Sequence, residues 1–158
     1  MSLPLYLHRS AGSAGQRYIG QCSTVLGMNE REQFLDRPIG KKIWAIAEGY
    51  IPSQSHGPKP EMVSHEALCI LNTGNEDAEV EVMIYYTDRE PVGPYTFKVP
   101  ARRTRHIRFN NFEVPENIPL GTEYSSVIKS NVPVIVQHTR LDSRQSENAL
   151  LSTIAYSE

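Results

Sequence analysis

Cysteine is scarce in this chain. Cys22 and Cys69 are the only two among 158 residues, too few for a disulfide framework or a zinc-ligand spacing. Cys69 lies in the apolar run Ala67-Leu-Cys-Ile-Leu71, where a buried thiol is expected. An excess of charge is missing too. Sixteen Lys and Arg face eighteen Asp and Glu, a net charge of −2, which gives no global pull toward nucleic acid or anionic lipid. No apolar run approaches the roughly 20 residues that a membrane helix needs. The start, Met1 to Arg9, is a poor signal peptide, because its apolar patch is short and interrupted by His8 and Arg9. A reduced, cytoplasmic compartment is therefore expected. Local catalytic signatures are also absent. The chain has no Gly-x-Ser-x-Gly elbow, no phosphate-binding Gly-x-x-x-x-Gly-Lys loop and no Gly-x-Gly-x-x-Gly. His65-Glu66 lacks a second histidine one helical turn on. These gaps remove the enzymes whose motifs are local, and no catalytic residue and no cofactor is assigned.

The length suits one domain with a real core. Residues 1–39 differ in texture from the rest. Ser10-Ala-Gly-Ser-Ala-Gly15 is small and aperiodic, and the short helical pattern over Met28–Arg37 has few apolar anchors. We read 1–39 as a flexible N-terminal extension, with Met28 as an alternative start, and 40–158 as the folded domain. From Lys41 on, short apolar or alternating runs are separated by turn residues. Strands are expected over 42–48, 64–72, 79–87, 95–99, 101–109, 124–129, 133–141 and 149–156, with no long helix. In the run 79–87, Val80, Val82, Ile84 and Tyr86 face one way and Glu79, Glu81, Met83 and Tyr85 the other. This spacing predicts an all-β sandwich or barrel. Several strands, among them Ile43–Ala47, Val134–Val136 and Leu150–Leu151, are apolar on both faces. The outer face of a two-layer sandwich should be wet, so a homo-oligomer is expected.

Four constellations carry chemistry. The segment Val134 to Arg144 passes from a dry strand to a crowd of polar groups. Val134, Val136, His138 and Arg140 share one face of it, and Asp142 is positioned to pair Arg140 or Arg144. This is a structural network or, on a sharper reading, a pocket for a hydroxylated or anionic ligand. A second cluster, Arg102, Arg103, Arg105 and Arg108, either grips phosphates or guards an edge strand with charge. Trp44, Glu48, Tyr50, Tyr85, Tyr86 and Tyr95 form a third group, of the kind that holds sugars; Trp44 is expected in the core. The fourth is His65, His106 and His138 with carboxylates. Its members have no diagnostic spacing and are expected to bond locally, so no metal is assigned.

Six segments carry a resemblance. Trp44-Ala-Ile-Ala-Glu-Gly-Tyr-Ile-Pro52, Ile84-Tyr-Tyr-Thr-Asp-Arg-Glu-Pro-Val-Gly-Pro-Tyr95 and Val99-Pro-Ala-Arg-Arg-Thr104 stand in one register with three more. These are Lys129-Ser-Asn-Val-Pro133, Gln137-His-Thr-Arg-Leu-Asp-Ser-Arg-Gln145 and Glu147-Asn-Ala-Leu-Leu-Ser-Thr-Ile-Ala-Tyr156. Together they resemble the soluble sensory rhodopsin transducers of the Anabaena type. The resemblance implies a cytoplasmic homotetramer without known catalytic activity, which receives a signal from a seven-helix retinal receptor at the inner membrane face. It also implies a fold similar to carbohydrate-binding sandwiches, and DNA binding has been proposed for the family. The expectation is thus a two-sheet antiparallel β-sandwich, jelly-roll-like and homo-oligomeric, acting as a non-enzymatic signalling adaptor. The alternatives are a module for a sugar or sugar acid and a DNA-binding regulator. The candidate ligand residues are Glu48, Tyr50, Gln137, His138, Arg140 and Asp142. The candidate partner or nucleic-acid residues are Arg102, Arg103, Arg105, Arg108 and Arg144.

Overall fold

A computed structural model describes residues 37–147 and 149–158. The expectations for the N-terminal segment over 1–36, its short helix included, lie outside these residues. The described chain is all-β and antiparallel. Its elements are β1 (Lys41–Tyr50), β2 (His65–Asn72), β3 (Ala78–Tyr85), β4 (Val92–Val99) and β5 (Arg103–Arg108). A single 3-10 turn, Phe109–Asn111, leads on to β6 (Glu123–Asp142), β7 (Ala149–Ile154) and β8 (Tyr156–Ser157).

One strand organises all the others. The first half of β6 lies between β3 and β1, and its second half lies between β2 and β7. The expected pair of strands, 124–129 and 133–141, is therefore one continuous strand of 20 residues. Pro133 does not break it. The paired positions on β6 stop at Ser130 and resume at Val134, so the missing N–H falls where no ladder bond is required. Gly40 marks the same crossing. Its φ is +112°, and a Cβ there would stand 2.1 Å from the carbonyl oxygen of Val134, so only glycine fits. The expected last strand, 149–156, is by contrast divided. Ala155 donates its N–H to the Val136 carbonyl, and the chain then leaves β6 to pair Tyr156 with Ala45 and Ser157 with Trp44 of β1.

The core follows the alternation read from the sequence. Ala78, Val80, Val82 and Ile84 are buried, whereas Glu79, Glu81 and Tyr85 are exposed. Strands from both halves of β6 feed one apolar cluster, which includes Trp44, Leu68, Ile70, Val82, Val134 and Val136. Trp44 is core, as expected, and its indole N–H donates to the Lys41 carbonyl. Phe112 joins the aromatic end of the cluster, with ring centroids 4.8–4.9 Å from Tyr95, Phe97 and Phe109. Such pairs add about 0.5–1.5 kcal/mol each beyond burial. Tyr95 is buried, and its hydroxyl donates to the Glu116 carbonyl. Burial pushes that phenol up to about 12. Cys69 is half-buried rather than fully buried, since it points away from the face that carries Leu68 and Ile70.

Candidate functional site

The polar centre of the molecule is built on Glu66, which is 0% exposed. Glu66 shares its strand face with Leu68, Ile70 and Asn72, all fully buried, so the alternation of β2 drives a carboxylate into the core. Antiparallel register sets Arg140 of β6 directly opposite it. The Arg140 Nε lies 2.5 Å from Glu66 Oε1, a charge-assisted cross-strand pair. The Tyr50 backbone N–H donates to the same oxygen at 3.0 Å. The Tyr124 hydroxyl donates to Oε2, and His138 Nε2 stands 3.5 Å from it. The second arm of Arg140 reaches Glu48 Oε1 at 2.8 Å. Phe109 props both neighbours, with ring centroids 5.5 Å from Tyr124 and 6.4 Å from His138.

Two local irregularities bring these groups together. Between the pairs Ile46–Ser126 and Gly49–Tyr124 the register of β1 slips against β6, which inserts one extra residue at Ala47–Glu48. A bulge of this kind re-aims side chains, and here Glu48 meets Arg140 from a neighbouring part of the network. Gly49 then leaves room for the Tyr124 ring. A Cβ at position 49 would stand 2.5 Å from that ring.

Electrostatics follow from the geometry. Burial alone would push the Glu66 carboxyl up. The His138 ring 3.5 Å away and hydrogen bonds from Tyr124, the Tyr50 backbone and Arg140 outweigh burial and hold it below its ordinary value. Tyr124 is displaced in the opposite sense. Burial and the adjacent Glu66 charge push its phenol far up, so it remains a donor. Burial works against the charge on Arg140, and Glu48 and Glu66 overcome it, raising the guanidinium above its usual value.

Two cavities flank the Glu48–Arg140 pair and share Ala47 and Glu48 as a wall. One, of about 330 Å³, takes Tyr85, Tyr86, Glu123 and Tyr124 into its lining. The other, of about 220 Å³, lies against Ile46, His138, Leu151, Ile154 and Tyr156. A third, of about 310 Å³, sits apart at Asp142, Arg144 and Glu147.

The model of the Anabaena sensory rhodopsin transducer family matches residues 39–157. The chain belongs to this family. A solved Anabaena sensory rhodopsin transducer is 60% identical over 66% of this chain and 100% of that one, with a TM-score of 0.61. The crystal structure of Thermotoga maritima 1070 is 34% identical, covers 75% of this chain and 96% of that one, and has a TM-score of 0.67. No curated protein matches.

The structure gathers Glu48, Tyr50, His138 and Arg140 of the expected ligand set around Glu66, with Tyr50 contributing its backbone. It leaves the other two outside. Gln137 points to the opposite face of β6 and donates to Ser152 Oγ at 2.5 Å. Asp142 accepts from Arg144 at 2.6 Å and belongs to the separate cavity. Glu66 and Tyr124 are the members that the candidate set lacked. The signal for Glu66 was its parity with Leu68 and Ile70; Tyr124 is brought in by register alone. Arg102 lies in the turn before β5, which is an edge strand paired only with β2 among the described residues. The arginines fan out: Arg102 to Asn75, Arg103 to the Arg102 carbonyl, Arg105 to that of Lys98 and Arg108 to that of Pro60. Among the described residues no group of three or more His, Cys, Asp or Glu is placed to hold a metal ion. Nor does any helix have the length and apolarity to cross a membrane.

Proposed function

We propose that this chain is a non-enzymatic cytoplasmic signalling adaptor that works by protein–protein contact as a homotetramer, relaying a signal from a seven-helix retinal receptor at the membrane face. In this reading the strands on the two halves of β6 are the layers of a jelly-roll-like, two-sheet sandwich. Family membership supports the transducer role. The observation that carries self-association is β7. All six of its residues are exposed, with Leu150 at 71%, Leu151 at 50% and Ile154 at 61%. Next to it stand exposed Tyr156 and Ile43. Apolar side chains on both faces of a strand that pairs on one side only among the described residues mark a surface that another chain covers.

Light scattering tests the assembly. Wild type is expected at four times the chain mass, and Leu150→Asp with Ile154→Asp at a smaller mass with an unchanged β spectrum. A stable wild-type monomer in dilute solution sinks the reading. The receptor step is tested separately, by titration with the cytoplasmic face of a cognate receptor. Absence of binding at low salt and high concentration refutes that step.

A second reading, a module for a sugar or sugar acid, has one observation of its own: tyrosines, Glu48 and His138 line the two cavities beside Arg140. A thermal-shift screen should then find a sugar that raises the melting point, and a flat screen argues against it. The DNA reading gains nothing from the β5 arginines, which are engaged at three separate backbone carbonyls.

A further inference from the structure

The larger of the two cavities flanking Glu48 has a chemistry of its own. It opens where β1 and β3 end and β6 begins. Three tyrosines, Tyr85, Tyr86 and Tyr124, and two carboxylates, Glu48 and Glu123, line it. No Lys, Arg or His is among its described lining residues. Behind Tyr124 lies a third carboxylate, Glu66. Among the described residues one guanidinium, that of Arg140, is bonded to the group, and it is shared between Glu48 and Glu66. Among the described residues, three carboxylates against one guanidinium give this aromatic cavity an excess of acidic groups. The nearby Arg89 does not change this, because it is bound to Glu116 at 2.9 Å.

We propose that this cavity binds an organic cation, an ammonium or guanidinium head group. The ring faces carry negative potential and attract such a charge, and Glu123 and Glu48 supply charge-assisted hydrogen bonds. The array already does this once within the molecule. The Arg89 guanidinium stacks over the Tyr86 ring at 3.9 Å from its centroid. Anions are repelled by the same carboxylates. A neutral sugar gains stacking and hydrogen bonds but none of the charge term. A volume of about 330 Å³ admits a single head group with part of its stem. Tyr85 and Glu123 are exposed at the mouth, so the charge can arrive free or on a basic side chain of a docking protein. The proposal goes beyond the adaptor reading and stands without it.

Two-dimensional amide NMR of the full chain tests it, with four probes. These are lysine blocked at both backbone ends, norleucine blocked in the same way, tetramethylammonium and glucose. Blocked lysine should shift the amides of Tyr85–Thr87 and Glu123–Ser125 saturably, at least about tenfold more tightly than norleucine, a gap of about 1.4 kcal/mol. The affinity should fall with added salt. It should also fall several-fold in Glu123→Gln and in Tyr85→Ser, both at exposed positions, with the β spectrum of each variant unchanged. Tighter binding of tetramethylammonium than of blocked lysine identifies a free ammonium ion as the ligand; the reverse identifies a partner's side chain. The proposal is overturned if lysine and norleucine bind alike, if neither cation binds, if glucose binds more tightly than both cations, or if Glu123→Gln leaves cation affinity unchanged. Failure of the receptor titration bears only on the adaptor reading.

Discussion

Strand β2 has arginine on both sides. On one side Arg140 of β6 stands opposite Glu66, and on the other Arg103, Arg105 and Arg108 of β5 stand opposite Asn72, Ile70 and Ala67. Arg140 is largely buried and bonded to two carboxylates. The β5 arginines lie at the surface and mostly touch backbone carbonyls. The residue type is the same and the strand partner is the same. Arg103 and Arg105 even leave the sheet on the face that Arg140 uses, because Asn72 and Ile70 share the face of Glu66, so what differs is the place in the sheet: β6 is flanked by β2 and β7, and β5 pairs only with β2 among the described residues. The β6 side turns the guanidinium toward the core, where its charge must be matched. The β5 side is an edge, where water does the matching. Charge density in the sequence is therefore a poor guide to which arginines hold the fold.

Breaking the buried pair is the sharpest test of this contrast. Arg140→Met leaves Glu66 as an unmatched carboxylate at zero exposure and should cost about 3–5 kcal/mol. Urea unfolding at fixed protein concentration measures it. A cost below about 1 kcal/mol, the range of exposed ion pairs, would erase the distinction between the two sides of β2. Tyr124→Phe should cost less, about 1–3 kcal/mol, because it removes a single donor to a buried carboxylate. The same unfolding experiment decides it, and a neutral result would mean that water replaces the hydroxyl.

The pH dependence separates the sides again. Glu66 is held below its ordinary value in the folded chain, so the unfolded chain binds its proton first as pH falls. Its contribution is complete above the ordinary carboxylate range, near pH 4.3, and is lost as pH drops from there through the folded value. Stability should decline over that window in wild type. Glu66→Gln should start lower and decline less. Parallel pH profiles for the two proteins would remove Glu66 as the source.

Much of the fold is legible in the sequence, because it rests on local patterns. The alternation of Val80, Val82 and Ile84 names the inward face of β3, and Val134, Val136, His138 and Arg140 do share a face that turns from apolar to ionic. What stayed hidden depends on register between distant strands. Tyr124 lies 58 positions from Glu66, and only the slip at Ala47–Glu48 and the bare Cα of Gly49 bring them together. The continuity of β6 was masked by Pro133, whose usual meaning is a strand end. The split of the last strand at Ala155 has no local signal either, since the residues on both sides of it suit a β conformation.

The smallest expected effects lie on β5, and they differ from one another. Among the described residues Arg103 reaches only the carbonyl of its own neighbour, so Arg103→Ala should change stability by less than about 0.5 kcal/mol. Arg105 does more. Its Nη1 donates to the Lys98 carbonyl at 2.7 Å, and its guanidinium lies 5.6 Å from the Phe97 ring centroid. A cation over a ring at the surface adds about 0.5–1 kcal/mol, and Phe97 is half-buried with its guanidinium partner exposed, so Arg105→Ala should cost about that much and no more. Removing both should leave the fold intact yet expose an unguarded edge strand, and the double variant should aggregate faster on heating than either single one. A loss at Arg105 as large as that at Arg140 would show that the β5 edge is covered in solution, and that the two sides of β2 are equivalent after all.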